Sequence, residues 1–417
     1  MMPSKREIRI LYTCPFAHHE GHYPLATVNE SLALAKAGFK VFLCTFRGVA
    51  FKGVSIPLTS RRVCSGRFGT LVSSLTRVLN SWRITKPIGL AIEYLSTLIF
   101  AALLENALKY DVIYLRDGEL SFLVLPFLNL FFKRKWIITV IGSFSTSLPY
   151  RLIYHLVTIP LWKSFYLKHL HKLDFLIVAH NRYLETFFVR NLFKFEVLSQ
   201  RVRVVPLGVE GIKNYVPQDE ARRRLNLPLN IPIFLHFGVL HPGKDIKTVL
   251  AAFEEIPNAI LVLAGRNLKY FEAKVINLKN LIVRHKLQEK VVLRDFYIPE
   301  EDKKYYFAAA DAVILSYRRE FLFTASVLFE AARFRVPVIA SDNAELGELV
   351  KKYRLGLIFK AQNPSSLKDT IVRFCNLNQS EKEAFRKNCE KFVWIFSIEN
   401  WALQHKEIFL NLLAETK

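Results

Sequence analysis

Short apolar runs rich in β-branched residues alternate along the chain with segments of helical periodicity. The first run, REIRILYTC, precedes a helical pattern from about Pro24 to Ala37, which is followed by FKVFLCTF. The runs YDVIYL, KWIITVI, DFLIVA and RVRVVPL come next. After a proline-bearing stretch near residue 217 the alternation starts again with IPIFLHFG, AILVLAG, KVVLRDF, DAVILSY and VPVIAS. Strands separated by helices predict parallel sheets with helices on both faces. The restart predicts two such sheets in series.

The length of the chain supports this division. A chain of 417 residues, 51% of them hydrophobic, is too long to fold around a single hydrophobic core, so two domains of roughly 150–200 residues are expected. We place the two domains at residues 1–205 and 206–385. The segment 386–417 is expected to form helices that pack back toward the first domain. The predicted fold class is α/β, with two doubly wound parallel sheets.

No stretch predicts a transmembrane helix, which needs about 20 apolar residues. The longest apolar segments, YLSTLIFAALL and LSFLVLPFLNLFF, are shorter and are interrupted by polar residues or proline. The start, MMPSKREIRILYTC, passes directly from charged residues into a strand-like run, so we predict no signal peptide. The five cysteines are scattered and form no CxxC pair, which is typical of reduced thiols. These features predict a cytoplasmic protein.

The chain is strongly basic, with a formal net charge of +23. Such charge favours nucleic acid, anionic lipid or phosphorylated substrates as partners. The segments LFFKRKWII and YRLIYHLVTIPLWKSFYLKHLHKL mix aromatic and basic residues, which suits a membrane interface. The alternative is that the aromatic rings lie in the hydrophobic core and the basic side chains form a solvated rim around it. Because no nucleic-acid recognition signature is present, we expect no nucleic acid. Our hypothesis is peripheral attachment to the anionic inner face of the cell membrane.

Residues 15–24 read PFAHHEGHYP and follow the first predicted strand. Three histidines and a glutamate would suit a metal ion, but His18 and His22 align only on a helix, and Gly21 with its flanking prolines favours a loop. The HExxH spacing is absent. Parallel sheets bind ligands at the carboxyl ends of their strands. We therefore interpret this segment as a ligand-facing loop, with a zinc site and an ordinary surface loop as the alternatives.

The segment FLHFGVLHPGKDIKTVLAAF (234–253) predicts a strand, a glycine-bearing loop and an amphipathic helix. Gly238, Gly243 and Lys244 fit GxxxxGK. A P-loop requires Ser or Thr next, whereas this chain has Asp245, whose carboxylate would repel phosphate. A helix N-terminus still offers N–H groups and a positive dipole, and Lys244 adds a full charge. We predict that a diphosphate binds here without a magnesium-binding hydroxyl; the alternative is a turn with a solvated lysine.

Several segments resemble, in the same order, those of glycosyltransferase family 4. FGVLHPGKDIKTVLAAF is similar to FGxIRPYKGxxxLIxAF, and RVRVVPLGVE resembles VxVIPNGVD. KVVLRDFYIPEEDKKYYFAAADAVILSY resembles VxFxGxVxxEELxxLYxxADVxVLPS, and TASVLFEAARFRVPVIASD resembles SGxxLxEAxAxGxPVIAS. In the first half, YDVIYLRDG and KWIITVIGS are more loosely similar to ADVIHxHD and KxVxTVHGS.

The resemblance implies a GT-B fold, in which two Rossmann-like domains face each other across a cleft. In that family the second domain binds a nucleotide-sugar, the first binds the acceptor, anomeric configuration is retained, and no metal or other cofactor is required. The loop after the first strand would then bring His18, Gly21 or His22 against the sugar or the acceptor. The implied function is transfer of a hexose from a nucleoside-diphosphate sugar to a glycan or lipid-linked acceptor, in polysaccharide or glycolipid synthesis.

The same resemblance assigns residues to the donor site. Lys244 matches the lysine that stabilises the leaving diphosphate, so it is the expected catalytic residue. His241 matches the family arginine, although an alternative register puts Val239 there. Glu330 matches the second of two paired glutamates and would accept hydrogen bonds from ribose hydroxyls. The remaining nucleotide-sugar residues expected are Gly238, Gly265, Arg266, Thr324 and Ser326. Thr324 and Ser326 fit a loop whose backbone amides hold phosphate in some relatives; Thr324 acting as a plain helix N-cap is the alternative.

Three positions depart from the family pattern. His241 replaces the arginine, and Leu322 stands at the first glutamate, with Glu320 nearby but out of register. Ile141 or Gly142 stands where a first-domain histidine is expected. The departures support a second hypothesis, a catalytically impaired nucleotide-sugar or glycan-binding partner protein; a sugar-nucleotide epimerase is a third. In retaining transfer the leaving phosphate can itself accept the acceptor proton, so no protein base is required.

Overall fold

The computed structural model divides the chain into two units. The first comprises Met1–Gly208 and Ile398–Lys417, and the second comprises Val209–Ser397. The structure describes residues 7–14, 23–46, 59–62, 110–116, 135–140, 175–186, 201–211, 215–267, 277–321 and 324–414, with single positions between 74 and 99. The sequence features that lie outside this description are His18, Gly21, His22, Ile141, Gly142, Leu322 and most of the two basic aromatic segments.

Seven parallel strands form one sheet in the described part of the first unit. They are β1 Arg9–Cys14, β2 Lys40–Thr45, β3 Thr59–Arg62, β4 Val112–Leu115, β5 Lys135–Val140, β6 Phe175–Ala179 and β7 Val202–Val204. Their order is β3-β2-β1-β4-β5-β6-β7. The described helices of this sheet region are α1 Tyr23–Lys36 and α2 Arg182–Thr186. Strand β3, TSRR, contains no apolar residue, so the hydrophobic pattern does not predict it.

Six parallel strands form the sheet of the second unit, in the order β10-β9-β8-β11-β12-β13. They are β8 Ile233–Phe237, β9 Ile260–Ala264, β10 Val291–Arg294, β11 Ala312–Leu315, β12 Val338–Ser341 and β13 Gly356–Phe359. The described helices are α3 Gln218–Arg224, α4 Ile246–Glu254, α5 Leu278–Arg284, α6 Glu300–Ala309, α7 Ser326–Arg333, α8 Ala344–Tyr353, α9 Pro364–Cys375 and α10 Gln379–Ile395. Strand β13 is the one strand of this sheet that the pattern of hydrophobic positions did not indicate. The predicted α/β class with two doubly wound parallel sheets is confirmed.

An aspartate fixes the pairing of the two central strands in each sheet. In the first unit, Asp111 precedes β4 and its Oδ2 accepts a hydrogen bond from Arg9 N at 2.9 Å. In the second unit, Asp311 precedes β11 and its Oδ2 accepts from Ile233 N at 2.7 Å. Because each bond joins the starts of neighbouring parallel strands, it sets which residues meet at their carboxyl ends.

Residues 386–417, grouped together in the sequence analysis, divide between the two units at Ile398. Helix α10 packs within the second unit, where the ring centroids of Phe392 and Phe329 are 5.2 Å apart. Helix α11 (Ile398–Ala414) packs on the first unit, where the Tyr114 ring lies 5.5 Å from His405 and 6.0 Å from Phe409. The grouping therefore differs from the structure, because the aromatic face of α10 covers α7 of the second unit.

Helices α10 and α11 are the longest described, with 17 residues each. Among the described residues, none of the helices has both the length and the apolar character needed to cross a membrane.

Candidate functional site

The second sheet has a topological switch point between β8 and β11. From β8 the chain proceeds through β9 to β10 at one edge, and it then returns to β11 and proceeds through β12 to β13 at the other edge. The loops after β8 and β11 therefore leave in opposite directions, which opens a crevice at the carboxyl ends of these strands. Residues 238–245 follow β8, and the described residues after β11 are 316–321 and 324–325. Sequence reasoning identified both segments, and the strand order places them side by side.

Two glycines allow the loops after β8 and β9 to touch. Gly238 has φ +91° and Gly265 has φ +138°, values that favour glycine. A Cβ atom on Gly265 would lie 2.1 Å from the carbonyl oxygen of Gly238. Across this contact, Gly238 N donates to Ala264 O at 2.9 Å, and Leu240 N donates to Arg266 O at 3.0 Å. Arg266 thus contributes its backbone carbonyl to the loop contact, while its side chain is exposed.

Lys244 is buried at the end of a short 3-10 turn, Pro242–Lys244, with 6% of its surface exposed. Its Nζ donates a hydrogen bond to Phe237 O. The same Nζ lies 2.9 Å from the place where a Cβ on Gly238 would stand, so a glycine there admits the ammonium group. Burial lowers the pKa of Lys244 from 10.5 to about 7. A desolvated cation is unfavourable unless an anion is near, so this position is suited to an anionic ligand.

His236 and Ser316 hold the backbone of Lys244 from the two central strands. Ser316 Oγ donates to Lys244 O at 2.7 Å, and His236 Nε2 lies 3.4 Å from the same oxygen. Burial, and next the Lys244 ammonium, lower the pKa of His236 to about 3, so its imidazole is neutral. A further bond joins the loops, because Arg318 N donates to Gly243 O at 3.0 Å. The lysine loop is therefore fixed by β11 and its loop as well as by its own helix.

His241 is a neutral hydrogen-bonding group in the same loop. Its Nδ1 accepts a hydrogen bond from Gly243 N at 3.2 Å, which puts the ring proton on Nε2. Burial, and next Lys244, lower the pKa of His241 to about 3. Its ring lies 6.1 Å from that of Phe321, centroid to centroid. The position that resembles the family arginine thus carries a neutral N–H donor and no permanent cation.

Helix α7 begins beside the glycine loop. Its first residue is Ser326 and its N-cap is Ala325, which has no side-chain hydrogen bond. Thr324 is not the N-cap, so that alternative is wrong; its Oγ1 donates to Glu345 Oε2 at 3.2 Å. Val327, in the first turn, has its Cγ2 3.5 Å from the Cβ position of Gly238. The positive end of the α7 dipole therefore lies next to the lysine loop.

Glu330 lies on α7 among charged neighbours. Its Oε1 lies 3.5 Å from Lys303 Nζ, and its Oε2 lies 3.3 Å from Arg333 Nη1. The side chain keeps 23% of its surface exposed. The two cations give this carboxylate ionic partners on an otherwise largely apolar helix. The partnership with Lys303, from α6, was not anticipated from sequence.

The first sheet has a matching switch point between β1 and β4, and a buried charge pair lies there. Arg116, directly after β4, donates through Nε to both carboxylate oxygens of Glu30 on α1, at 3.0 and 3.1 Å. Tyr12 Oη donates to Glu30 Oε2 at 2.6 Å. All three side chains are buried. Because the carboxylate is held by a cation and a hydroxyl, this cluster fixes α1 against the central strands of the sheet.

Comparison with known families shows what the second unit resembles. Residues 217–392, nearly all of that unit, match the sequence model of the family described as Glycosyl transferases group 1. The second unit therefore resembles the group 1 glycosyltransferases. The resemblance to GT-B glycosyltransferases drawn from the motifs is thereby confirmed, and the switch-point loops, Lys244 and Glu330 all lie inside the matched region.

Solved structures share the fold over nearly the whole chain. A glycosyltransferase from Rickettsia africae ESF-5 gives a TM-score of 0.71 at 15% identity, covering 98% of this chain and 99% of that chain. Sucrose-phosphate synthase from Thermosynechococcus elongatus gives 0.71 at 21% identity, covering 99% and 100%. Anabaena HepE in complex with UDP-glucose gives 0.69 at 16% identity, covering 97% and 100%. No curated protein sequence matches this chain. At such identities the likeness establishes the GT-B fold.

The structure of the second unit brings some of the expected residues together. Gly238, Lys244, Gly265 and the start of α7 converge at the switch point. Glu330 lies farther along α7, in its own charged cluster. Sequence reasoning missed His236 and Ser316, and the available signal was a histidine inside the apolar run IPIFLHFG.

No cluster of His, Cys, Asp and Glu side chains among the described residues is placed to hold a metal ion. The histidine-rich loop at residues 15–22 lies outside that description, so its expected contact with sugar or acceptor stays a prediction.

Proposed function

We propose that this chain is a retaining glycosyltransferase that transfers a hexose from a nucleoside-diphosphate sugar to a glycan or lipid-linked acceptor. The observation that carries the proposal is the buried Lys244 ammonium, which lies behind Gly238 at the switch point of the unit that resembles the group 1 glycosyltransferases. A diphosphate bound at this crevice would supply the anion that a desolvated cation requires. The second sheet thus binds the donor, and the first domain takes the acceptor.

The proposed chemistry places positive charge where the leaving group becomes negative. As the glycosidic bond to phosphate breaks, charge develops on the bridging oxygen, and fixed donors there lower the barrier. Lys244 supplies the cation, the backbone of Thr324 and Ala325 just before α7 supplies N–H groups near the positive end of the helix dipole, and His241 supplies a neutral Nε2–H. The leaving phosphate accepts the acceptor proton, so the reaction needs no protein base.

The remaining donor contacts follow from the same arrangement. Glu330 accepts hydrogen bonds from the ribose hydroxyls, and Gly265 with Arg266 closes the loop wall beside the nucleotide. The complex of Anabaena HepE with UDP-glucose makes UDP-glucose the first donor to test. His18, Gly21 and His22 face the sugar or the acceptor in this proposal.

Calorimetry with UDP-, GDP- and ADP-sugars tests donor binding. We expect one group of donors to bind and Lys244→Ala to weaken that binding by about tenfold to a hundredfold, the range of a charge-assisted hydrogen bond. Lys247→Ala is the matched control, because Lys247 is exposed on α4. Absence of binding to every sugar nucleotide would contradict the proposal. Transfer products from glycan and lipid-linked acceptors, with the anomeric configuration determined by NMR, then test the reaction.

A second candidate function is nucleotide-sugar or glycan binding without turnover, as a partner of another transferase. The observation that favours it is the neutral His241, which stabilises a developing phosphate charge less than arginine. Donor binding without hydrolysis or transfer on any acceptor supports this candidate. Sugar transfer that Lys244→Ala abolishes rules it out.

The lipid-linked acceptor and attachment to the inner face of the membrane form a separate part of the proposal. The net charge of +23 supports attraction to anionic lipid, about 1 kcal/mol for each cation near the surface. Sedimentation with anionic liposomes should carry the protein at low salt and release it at high salt. Protein that stays in the supernatant at low salt refutes electrostatic attachment.

A further inference from the structure

Glu330 belongs to a ring of four charged side chains contributed by α6 and α7. Lys303 Nζ lies 2.5 Å from Glu300 Oε2 and 3.5 Å from Glu330 Oε1. Arg333 Nη1 lies 2.9 Å from Glu300 Oε1 and 3.3 Å from Glu330 Oε2. Each cation therefore bridges both carboxylates, and each oxygen of Glu330 faces a different cation.

The two carboxylates are held unequally. Both cations make their shorter contact with Glu300, the first residue of α6, and their longer contact with Glu330. Glu300 thus anchors Lys303 and Arg333 in place. A carboxylate has about four lone-pair positions, so two cations leave Glu330 able to accept two further hydrogen bonds.

The ring keeps its charges in spite of partial burial. Burial alone would lower the pKa of Lys303, but the carboxylates of Glu330 and Glu300 outweigh it and raise that pKa. Arg333 behaves in the same way. The two cations are therefore permanently available to fix the direction in which the Glu330 carboxylate points.

We propose that Lys303 and Arg333 are positioning residues that orient the Glu330 carboxylate toward the vicinal ribose hydroxyls of a nucleoside diphosphate. The inference rests on the proposed function and deepens it. Lys303 comes from another helix, 27 residues before Glu330. Recognition of ribose is therefore assembled from α6 and α7 together, because a carboxylate free to rotate would lose its fixed alignment to a diol.

The experiment compares affinities for ribose and deoxyribose ligands. Calorimetry measures the binding of UDP, GDP and ADP and of their 2′-deoxy forms. The proteins compared are the wild type, Lys303→Gln, Lys303→Arg, Glu330→Gln and the double variant Lys303→Gln/Glu330→Gln. Lys304→Gln is the matched control, because it removes the same charge from the neighbouring position of α6. The wild type should prefer the ribose form of its nucleotide by about tenfold, as expected for one hydrogen bond to a charged group.

In Lys303→Gln this preference should fall by about threefold or more, while the affinity for the deoxy form stays unchanged. Lys303→Arg and Lys304→Gln should keep the preference, and the double variant should lose no more of it than Glu330→Gln alone. A merely structural lysine would instead weaken both forms equally, and that result overturns the inference. Equal wild-type affinity for ribose and deoxyribose forms overturns it as well, while donor binding and the proposed function stand. Failure of the wild type to bind any diphosphate refutes the proposed function, and the inference falls with it.

Discussion

Replacement of Lys244 by methionine should stabilise the protein at neutral pH while weakening donor binding by about tenfold to a hundredfold. Methionine has a similar length and no charge, so the buried volume is kept. The pKa of Lys244 lies at about 7 in the folded chain, against 10.5 for the ordinary side chain. This difference in pKa means that folding disfavours the charged form of Lys244 by about 5 kcal/mol.

The sign of the pH dependence follows from proton binding. Between pH 7 and 10.5 the unfolded chain binds more protons at Lys244 than the folded chain does. The free energy of unfolding therefore rises with pH across this window. The destabilising effect of the buried Lys244 charge is absent above the unfolded pKa and grows as the pH falls toward the folded pKa. From about pH 7 to about pH 9 this single group should add roughly 2 kcal/mol to the stability of the wild type.

Urea unfolding followed by circular dichroism measures the effect. Wild type and Lys244→Met are compared at both pH values, because the difference between them cancels the titration of all other groups. The stability advantage of Lys244→Met should be largest near neutral pH and should shrink by about 2 kcal/mol at the higher pH. Lys247→Met, an exposed control on α4, should show no such change. Parallel pH dependence in wild type and Lys244→Met would refute the reasoning that Lys244 is desolvated.

Three further substitutions test the fold, two of them at the switch points and one at the start of α10. Gly265 has φ +138°, and Gly265→Ala places a Cβ 2.1 Å from a backbone oxygen, so the free energy of unfolding in urea should fall by about 1–3 kcal/mol or more. The control Gly211→Ala, whose Cβ would have its nearest atom at 3.9 Å, should leave the stability almost unchanged. Arg116→Met leaves the buried carboxylate of Glu30 without its cation and should lower the free energy of unfolding by about 3–5 kcal/mol. Removing Glu30 as well should recover part of this loss of stability. An equal loss in the double variant would contradict a buried pair. Asn378→Ala removes a capping box at the start of α10 and should lower the free energy of unfolding by about 1 kcal/mol, with an unchanged midpoint counting against the cap.

The sequence was informative about elements whose signal is local. Runs such as RILYTC, apart from its first residue Arg9, and IFLHF are buried along their length, because parallel strands are covered on both faces. Their apolar composition could therefore be read without knowing their neighbours. Strand β3 lacks this signal because it reads TSRR. Strand β13 reads GLIF, an apolar run of only four residues that the pattern did not single out. The glycine–lysine loop was also found, because glycines, a lysine and a following helix are adjacent in the chain.

The contacts of the candidate site depend on strand order, which local patterns do not specify. Ser316 reaches the Lys244 carbonyl across 72 residues, and Lys303 reaches Glu330 across 27. The same holds in the first unit, where Arg116 and Glu30 are 86 residues apart in sequence.

The amino-acid sequence by itself determined two α/β sheets, the glycine-bearing loop and the family resemblance, because these follow from periodicity and from residues that are neighbours along the chain. Only the tertiary structure decided that β8 and β11 lie side by side, that Lys244 is buried behind Gly238, and that two cations hold Glu330. The physical reason is that burial and charge pairing are properties of segments brought together by the sheet, and their energies depend on distances that the chain order does not contain.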